Sequence, residues 1–226
     1  MLERVMLLGN FERVVLSAFG LREGVLLERM SPEALAVHPL IAAAEALAGR
    51  WRSRAFGPAL EQWIAPMFEG QPPVFGKMRD KVLRGAAARL ADVGGPLHPD
   101  QRVEIMFDLI LRAPLAAISH PERAFLAAAI HHRYTKAQPH HADAYLRLLD
   151  EEHRAAASAL GAALRLGAHL CGRSERLLAS FQIAAVDGKL VLRVKKTVAH
   201  LVTEAATRRL EAAAAALGLT AETKIV

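Results

Sequence analysis

Between Ser31 and Cys171 the chain is a succession of apolar-periodic runs, each opened or closed by residues that start or stop helices. Ser31-Pro32-Glu33 supplies an N-cap with proline at the first helical position, and His38-Pro39 offers a second start before Ile41–Trp51. Gly57-Pro58 reads as a break ahead of Ala59–Phe68, and Pro72-Pro73 as a loop. Lys77–Val93 places Val82, Leu83, Ala86, Ala87 and Leu90 on one face and stops at Gly94-Gly95-Pro96. Pro99–Leu111, His120–Tyr134, Ala142–Leu149 and Glu151–Leu170 follow as helices, the second of them opened by Ser119-His120-Pro121-Glu122. Alanine accounts for 44 of the 226 residues, which suits helices packed through small side chains and disfavours an all-β fold. The spacing predicts a bundle of about seven helices over 31–172.

Both ends of the chain depart from this pattern. Leu2–Leu8 has helical spacing and meets a stop at Gly9-Asn10, while Phe11–Ser17 (FERVVLS) has the β-branched content of a buried strand. One helix and one strand cannot form a sheet, so residues 1–30 read as the end of another fold. At the other end, Leu178–Val186 and Lys189–Val194 flank Asp187-Gly188, a hairpin signal. Thr197–Leu217 reads as one long amphipathic helix closed by Gly218, and Glu222–Val226 as a third strand. The expected fold is mainly α, with domains at 1–30, 31–174 and a small β-β-α-β module at 175–226.

A single cysteine, Cys171, excludes an internal disulfide and any Cys-based zinc site. No signal-peptide pattern opens the chain and no apolar run is long enough to span a bilayer, so the expectation is a cytoplasmic protein without a membrane partner. The formal charge is +6, and arginine supplies 22 of the 29 basic residues. Planar guanidinium forks fit phosphate oxygens, so the charge points to a polyanion; paired arginines on solvated helix faces are the alternative. Few aromatics and no basic-aromatic interleaving weigh against nucleic acid.

Three stretches in order carry a resemblance: SAFGLREGVL (Ser17–Leu26), RLADVGGPLHPDQRVE (Arg89–Glu104) and HPERAFLAAAIHHRY (His120–Tyr134). They resemble the exopolyphosphatase/guanosine pentaphosphatase phosphatases. The resemblance implies that 1–30 is a remnant of the second actin-like lobe, that 31–174 is an HD-like helical domain, and that 175–226 is the small C-terminal module of longer members. It also implies the family reaction, hydrolytic release of terminal phosphate from inorganic polyphosphate. In the full-length family that reaction uses Mg2+ and an N-terminal phosphate loop with its activating Glu, motifs that do not occur in these residues. The expectation is therefore a C-terminal part that binds the polyanion, forms a homodimer, carries no cofactor and is inactive alone. An independent HD-like interaction module and a degenerate metal-dependent HD phosphohydrolase are the alternatives.

HD phosphohydrolases hold divalent metals with a His…His-Asp…Asp set, but this sequence reads Ala91-Asp92 at the matching place. Asp92, His98 and His132 are the weak metal candidates; pairing or capping near the glycine turn is the alternative for Asp92, and helix entry for His98. His131-His132 diverge on a helix and cannot share an ion from one face. His140-His141 form a second such pair. For polyphosphate, His98, Arg102, Arg123 and Arg133 are candidates within the family-like stretches, with internal ion pairs as the alternative. Lys77, Lys81 and Arg84 recur at i, i+4, i+7 on one helical face, with a solvated exterior as the alternative. Further basic clusters are Arg50, Arg52 and Arg54, and Arg193, Lys195 and Lys196.

Overall fold

Side-chain caps open six of the helices among the described residues. In the computed structural model, which describes residues 1–14, 20–49, 55–137 and 143–226, the chain divides into two units, Met1–Val37 and His38–Val226. The first holds α1 (Leu2–Gly9), α2 (Leu21–Glu28) and α3 (Pro32–Ala36). Asn10 ends α1 in the left-handed region at φ 47°, and Ser31 Oγ accepts from Ala34 N to start α3. None of these helices buries a residue, and Leu7, Leu8, Leu21 and Leu26 are all exposed. Of the strand expected at Phe11–Ser17, Phe11–Val14 is irregular and Val15, Leu16 and Ser17 lie outside the described residues.

The second unit begins with α4 (Pro39–Gly49) and α5 (Phe56–Ile64), which runs into a 3-10 turn at Ala65–Phe68. Arg50, Trp51, Arg52 and Arg54 lie outside the described residues. Gly57-Pro58 does not break a helix but sits in the first turn of α5. A proline there costs nothing, because first-turn N–H groups lack intrahelical acceptors. Gly57 lets α5 lie against α6 (Lys77–Leu90): a Cβ there would come within 2.8 Å of Arg89 Cα. Next come α7 (Pro99–Arg112), α8 (His120–Tyr134), α9 (Asp143–Leu146) and α10 (Glu151–Leu170). A reciprocal cap opens α8, with Ser119 N donating to Glu122 Oε2 at 2.7 Å and Glu122 N to Ser119 Oγ at 3.4 Å.

Small residues set the helix spacing. Along α8 and α10, Ala124, Ala127, Ala128, Ala157, Leu160 and Ala163 are buried together. At Gly161 an added Cβ would lie 2.5 Å from His132 Cβ and 2.6 Å from Ala129 O, so α10 meets α8 backbone to backbone. Leu83, Met106, Ile110, Leu126, Ile130 and Leu164 fill the remaining core. Two ion-pair systems tie the helices. Arg79 binds Glu122 through Nε and, at 2.9 Å, through Nη2, and also donates to Ala117 O. Arg89 binds Glu45 at 2.8 Å and Glu61 at 2.6 Å. Burial opposes the Glu122 charge, but Arg79 and the Ser119 cap outweigh it and hold its pKa below the usual carboxylate range.

After α11 (Glu175–Leu178) the chain forms β1 (Phe181–Val186) and β2 (Lys189–Val194), paired antiparallel with Phe181 opposite Val194. Asp187 at φ 50° and Gly188 at φ 73° make the two-residue turn between them. The first strand starts at Phe181 rather than Leu178, because Ser174 caps α11 by accepting from Leu177 N. The long helix expected over Thr197–Leu217 is divided into a 3-10 segment (Lys196–Leu201) and α12 (Glu204–Ala216). Thr203 Oγ1 accepts from Ala206 N at 3.3 Å and restarts the helix. From α12 the chain crosses over to β3 (Thr220–Ile225), which pairs parallel to β2. The indole N–H of Trp63 on α5 donates to Phe181 O at 2.9 Å, so the sheet and bundle share one core. The fold is mainly α with a small β-β-α-β module, and among the described residues no helix is long and apolar enough to cross a membrane.

Candidate functional site

The end of α8 and the facing sides of α10 and α12 enclose a groove of about 700 Å³. Its floor is alanine, including Ala162, Ala212 and Ala216, because α10 and α12 pack through small residues. Lys136, Arg165, Arg208, Arg209 and His132 line it together with Tyr134, Thr135 and Ser158, and none of its lining residues is acidic. Arg208 pairs with Glu204 at 2.5 Å on its own helix. Among the described residues, no carboxylate lies within ion-pair distance of Lys136, Arg165 or Arg209. Arg209 Nε is shut off from water without a hydrogen-bond partner.

Two further arginines lie against Tyr134, which lines the groove. Arg133, at the end of α8, stacks over the Tyr134 ring at 4.8 Å, and Arg102 approaches the same ring at 5.5 Å. Burial lowers the Arg133 guanidinium from its ordinary value, with Tyr134 and Asp92 opposing and Arg165 and Arg173 reinforcing the shift. Burial likewise lowers Arg209, helped by Arg165 and Arg208. These arginines stay charged, so the shifts reflect first the burial of that charge and second the nearby like charges, and an incoming anion would offset both. Burial first, then His131, lowers His132, while a backbone hydrogen bond with Thr135 opposes; burial and then the charges of Arg209 and Arg165 lower His169.

The structure disperses the residues singled out from sequence. His132 lines the groove and Arg133 lies behind it. Arg102 and Arg123 spend their guanidinium groups on carbonyls: Arg102 on Leu97 O at 2.6 Å and Gly95 O at 3.2 Å, Arg123 on Ile110, Ala113 and Leu115 at 2.7–3.1 Å. His98 is the exposed N-cap of α7, accepting from Asp100 N at 3.4 Å. Lys77 and Arg84 border a separate crevice, and Lys81 is exposed outside both. Arg193 is exposed beside a third hollow against the sheet, and Lys195 and Lys196 are exposed where β2 leads into the 3-10 segment. Sequence reasoning passed over Arg165, Arg208, Arg209 and Lys136. The available signal was lone basic residues on alanine-rich helices, and only the α10–α12 contact brings them together.

A divalent-cation site does not fit these residues. Asp92 Oδ1 accepts from Arg173 Nη1 at 3.2 Å, with the Arg133 charge also in reach. Among the described residues no group of three or more His, Cys, Asp or Glu side chains is placed to hold a metal ion. His131 is buried, with Nε2 2.9 Å from Ala137 O, while His140 and His141 lie outside the described residues. Cys171 Sγ donates to Gly167 O at 3.0 Å, and burial pushes its thiol pKa up, away from nucleophilic chemistry. What the arrangement can do is bind anions.

No curated protein matches the chain. A family model described as exopolyphosphatase, C-terminal, matches residues 40–223, which is most of the 226-residue chain and nearly all of its second unit. The chain belongs to the exopolyphosphatase C-terminal family.

Proposed function

We propose that this chain is the phosphate-chain-binding part of an exopolyphosphatase-like enzyme acting in the cytoplasm, and that the α8–α10–α12 groove holds the polyanion. The observation carrying this reading is a groove lined by Lys136, Arg165, Arg208 and Arg209 without one acidic lining residue. Inorganic polyphosphate is a repeating anion with no sequence to read, so a track of guanidinium forks over an alanine floor suffices for it. Elsewhere the same chain neutralises half-buried arginines, as at Arg79–Glu122 and Arg89–Glu61, which makes Lys136, Arg165 and Arg209, without a carboxylate partner among the described residues, distinctive. Hydrolysis is assigned to the partner lobes that the family resemblance implies, and a homodimer remains part of the reading.

The test is titration of long-chain polyphosphate into the purified chain over a range of salt. Affinity should fall steeply with salt, by roughly tenfold or more between about 50 and 200 mM, and should rise with polymer length. Binding indifferent to both would overturn the reading, and sedimentation of the same samples reports whether the chain is a dimer.

Protonation gives a second readout. His132 in the groove lining and His169, which feels the charges of Arg165 and Arg209 from outside that lining, both sit below their ordinary value, and a bound polyanion draws both upward. Binding therefore takes up protons, and affinity should rise as pH falls between about 8 and 5. His132→Gln with His169→Gln should flatten that dependence, and an unchanged slope in the double variant would remove the histidines from the site.

A further inference from the structure

A second cavity, about 480 Å³, lies between the 68–74 loop, the first half of α6, Phe125 of α8, the start of α10 and the end of α12. Its size falls within the range of small-molecule sites. Gln71 Nε2 donates to Leu217 O at 3.3 Å and holds the loop over the end of α12. The walls include Val74, Ala156, Leu160 and Leu217, and they are largely apolar.

One cation reaches into this space. The Arg84 guanidinium lies 5.2 Å from the Phe68 ring centroid, which leaves its edge available. Among the described residues Arg84 has no hydrogen-bond acceptor and no ion-pair partner. Asp80, one turn away, is held outside ion-pair distance of it, its two carboxylate oxygens accepting from Val74 N and Phe75 N, each at 2.9 Å, so that Asp80 and Glu61 act on Arg84 only through their charge. A half-buried guanidinium with an open fork beside an apolar hollow matches a ligand with one anionic head and an apolar body.

The charge balance selects among such ligands. Lys77 and Arg84 are opposed by Glu69, Asp80 and Glu152 in the lining, two cations against three carboxylates. A polyphosphate or nucleoside polyphosphate would meet net repulsion here, in contrast to the acid-free groove. We infer that this crevice binds a small amphipathic monocarboxylate, its carboxylate clamped by Arg84 and its apolar body laid against Phe68, Phe125 and Leu160. The assignment is independent of the polyanion reading, since the two cavities share only Ala216 and no charged residue.

Titration calorimetry of the full chain with 3-phenylpropionate, its uncharged amide and phenyl phosphate tests it. The carboxylate should bind at least tenfold more tightly than the amide and more tightly than the phosphate ester. Arg84→Gln should weaken the carboxylate at least tenfold and leave the amide unchanged. Ala155→Phe places a ring into the hollow from an exposed lining position and should abolish binding of both, with polyphosphate titration and circular dichroism confirming an intact fold. Equal binding of acid and amide, preference for phenyl phosphate, no binding of any probe, or an Arg84→Gln variant that binds normally would each overturn the inference.

Discussion

Reversing two charges in the groove, Arg165→Glu with Arg209→Glu, should weaken long-chain polyphosphate binding by about a hundredfold, roughly 3 kcal/mol. The double change removes two unpaired guanidinium groups and puts two carboxylates where the lining has none. It should not unfold the chain. Arg165 and Arg209 make no ion pair in the described structure, and the Arg165 charge adds to the burial that opposes the charge of Arg209. The control carries the same change in net charge on surfaces outside the groove, Lys81→Glu with Arg193→Glu. If that control loses as much affinity as the groove variant, binding follows overall charge and the groove has no special role.

Gly161→Val should be the most damaging single substitution considered, lowering stability by about 3 kcal/mol and the melting temperature by roughly 10 °C. The loss follows from what the new side chain meets. Two of the nearest three atoms, Ala129 O at 2.6 Å and His132 C at 2.8 Å, are backbone and cannot rotate away. The usual gain from replacing a helical glycine, about 1 kcal/mol, is too small to offset that clash. Gly24→Val is the matched control, because a Cβ there meets nothing within 4 Å. Thermal melts of the two variants decide the matter, and equal midpoints would show that α8 and α10 separate without cost.

Residues that cap or punctuate helices could be read from the chain, and residues whose role depends on a distant neighbour could not. His120–Tyr134 and Glu151–Leu170 match their expected spans because Ser119 and Asp150 are local caps that need no tertiary context. Asp187-Gly188 likewise specifies its own turn. Gly57-Pro58 misled because a proline's effect depends on its helix position, and the start of α5 is set by packing of Phe56 and Gly57 in the core. The break at Val202-Thr203 was hidden by continuous helical spacing, although Thr203-Glu204 is a capping pair. At the site, family-like stretches drew attention to Arg102 and Arg123, whose guanidinium groups close off backbone carbonyls. Arg165 and Arg209 come from helices far apart in sequence, and only the packing of α10 on α12 makes them neighbours.

The bond from Trp63 to Phe181 has a practical consequence for anyone cutting this protein into pieces. Its partners are 118 residues apart, and the Gln71–Leu217 contact spans 146. A fragment ending anywhere between Ser174 and Phe181 would strand the indole N–H without its acceptor and bare the apolar surface beneath α5. The missing piece would also take away α12, and with it Arg208, Arg209 and one wall of each cavity. Limited proteolysis in that connection would therefore release no self-sufficient bundle, and binding studies on the anion groove require the chain through β3.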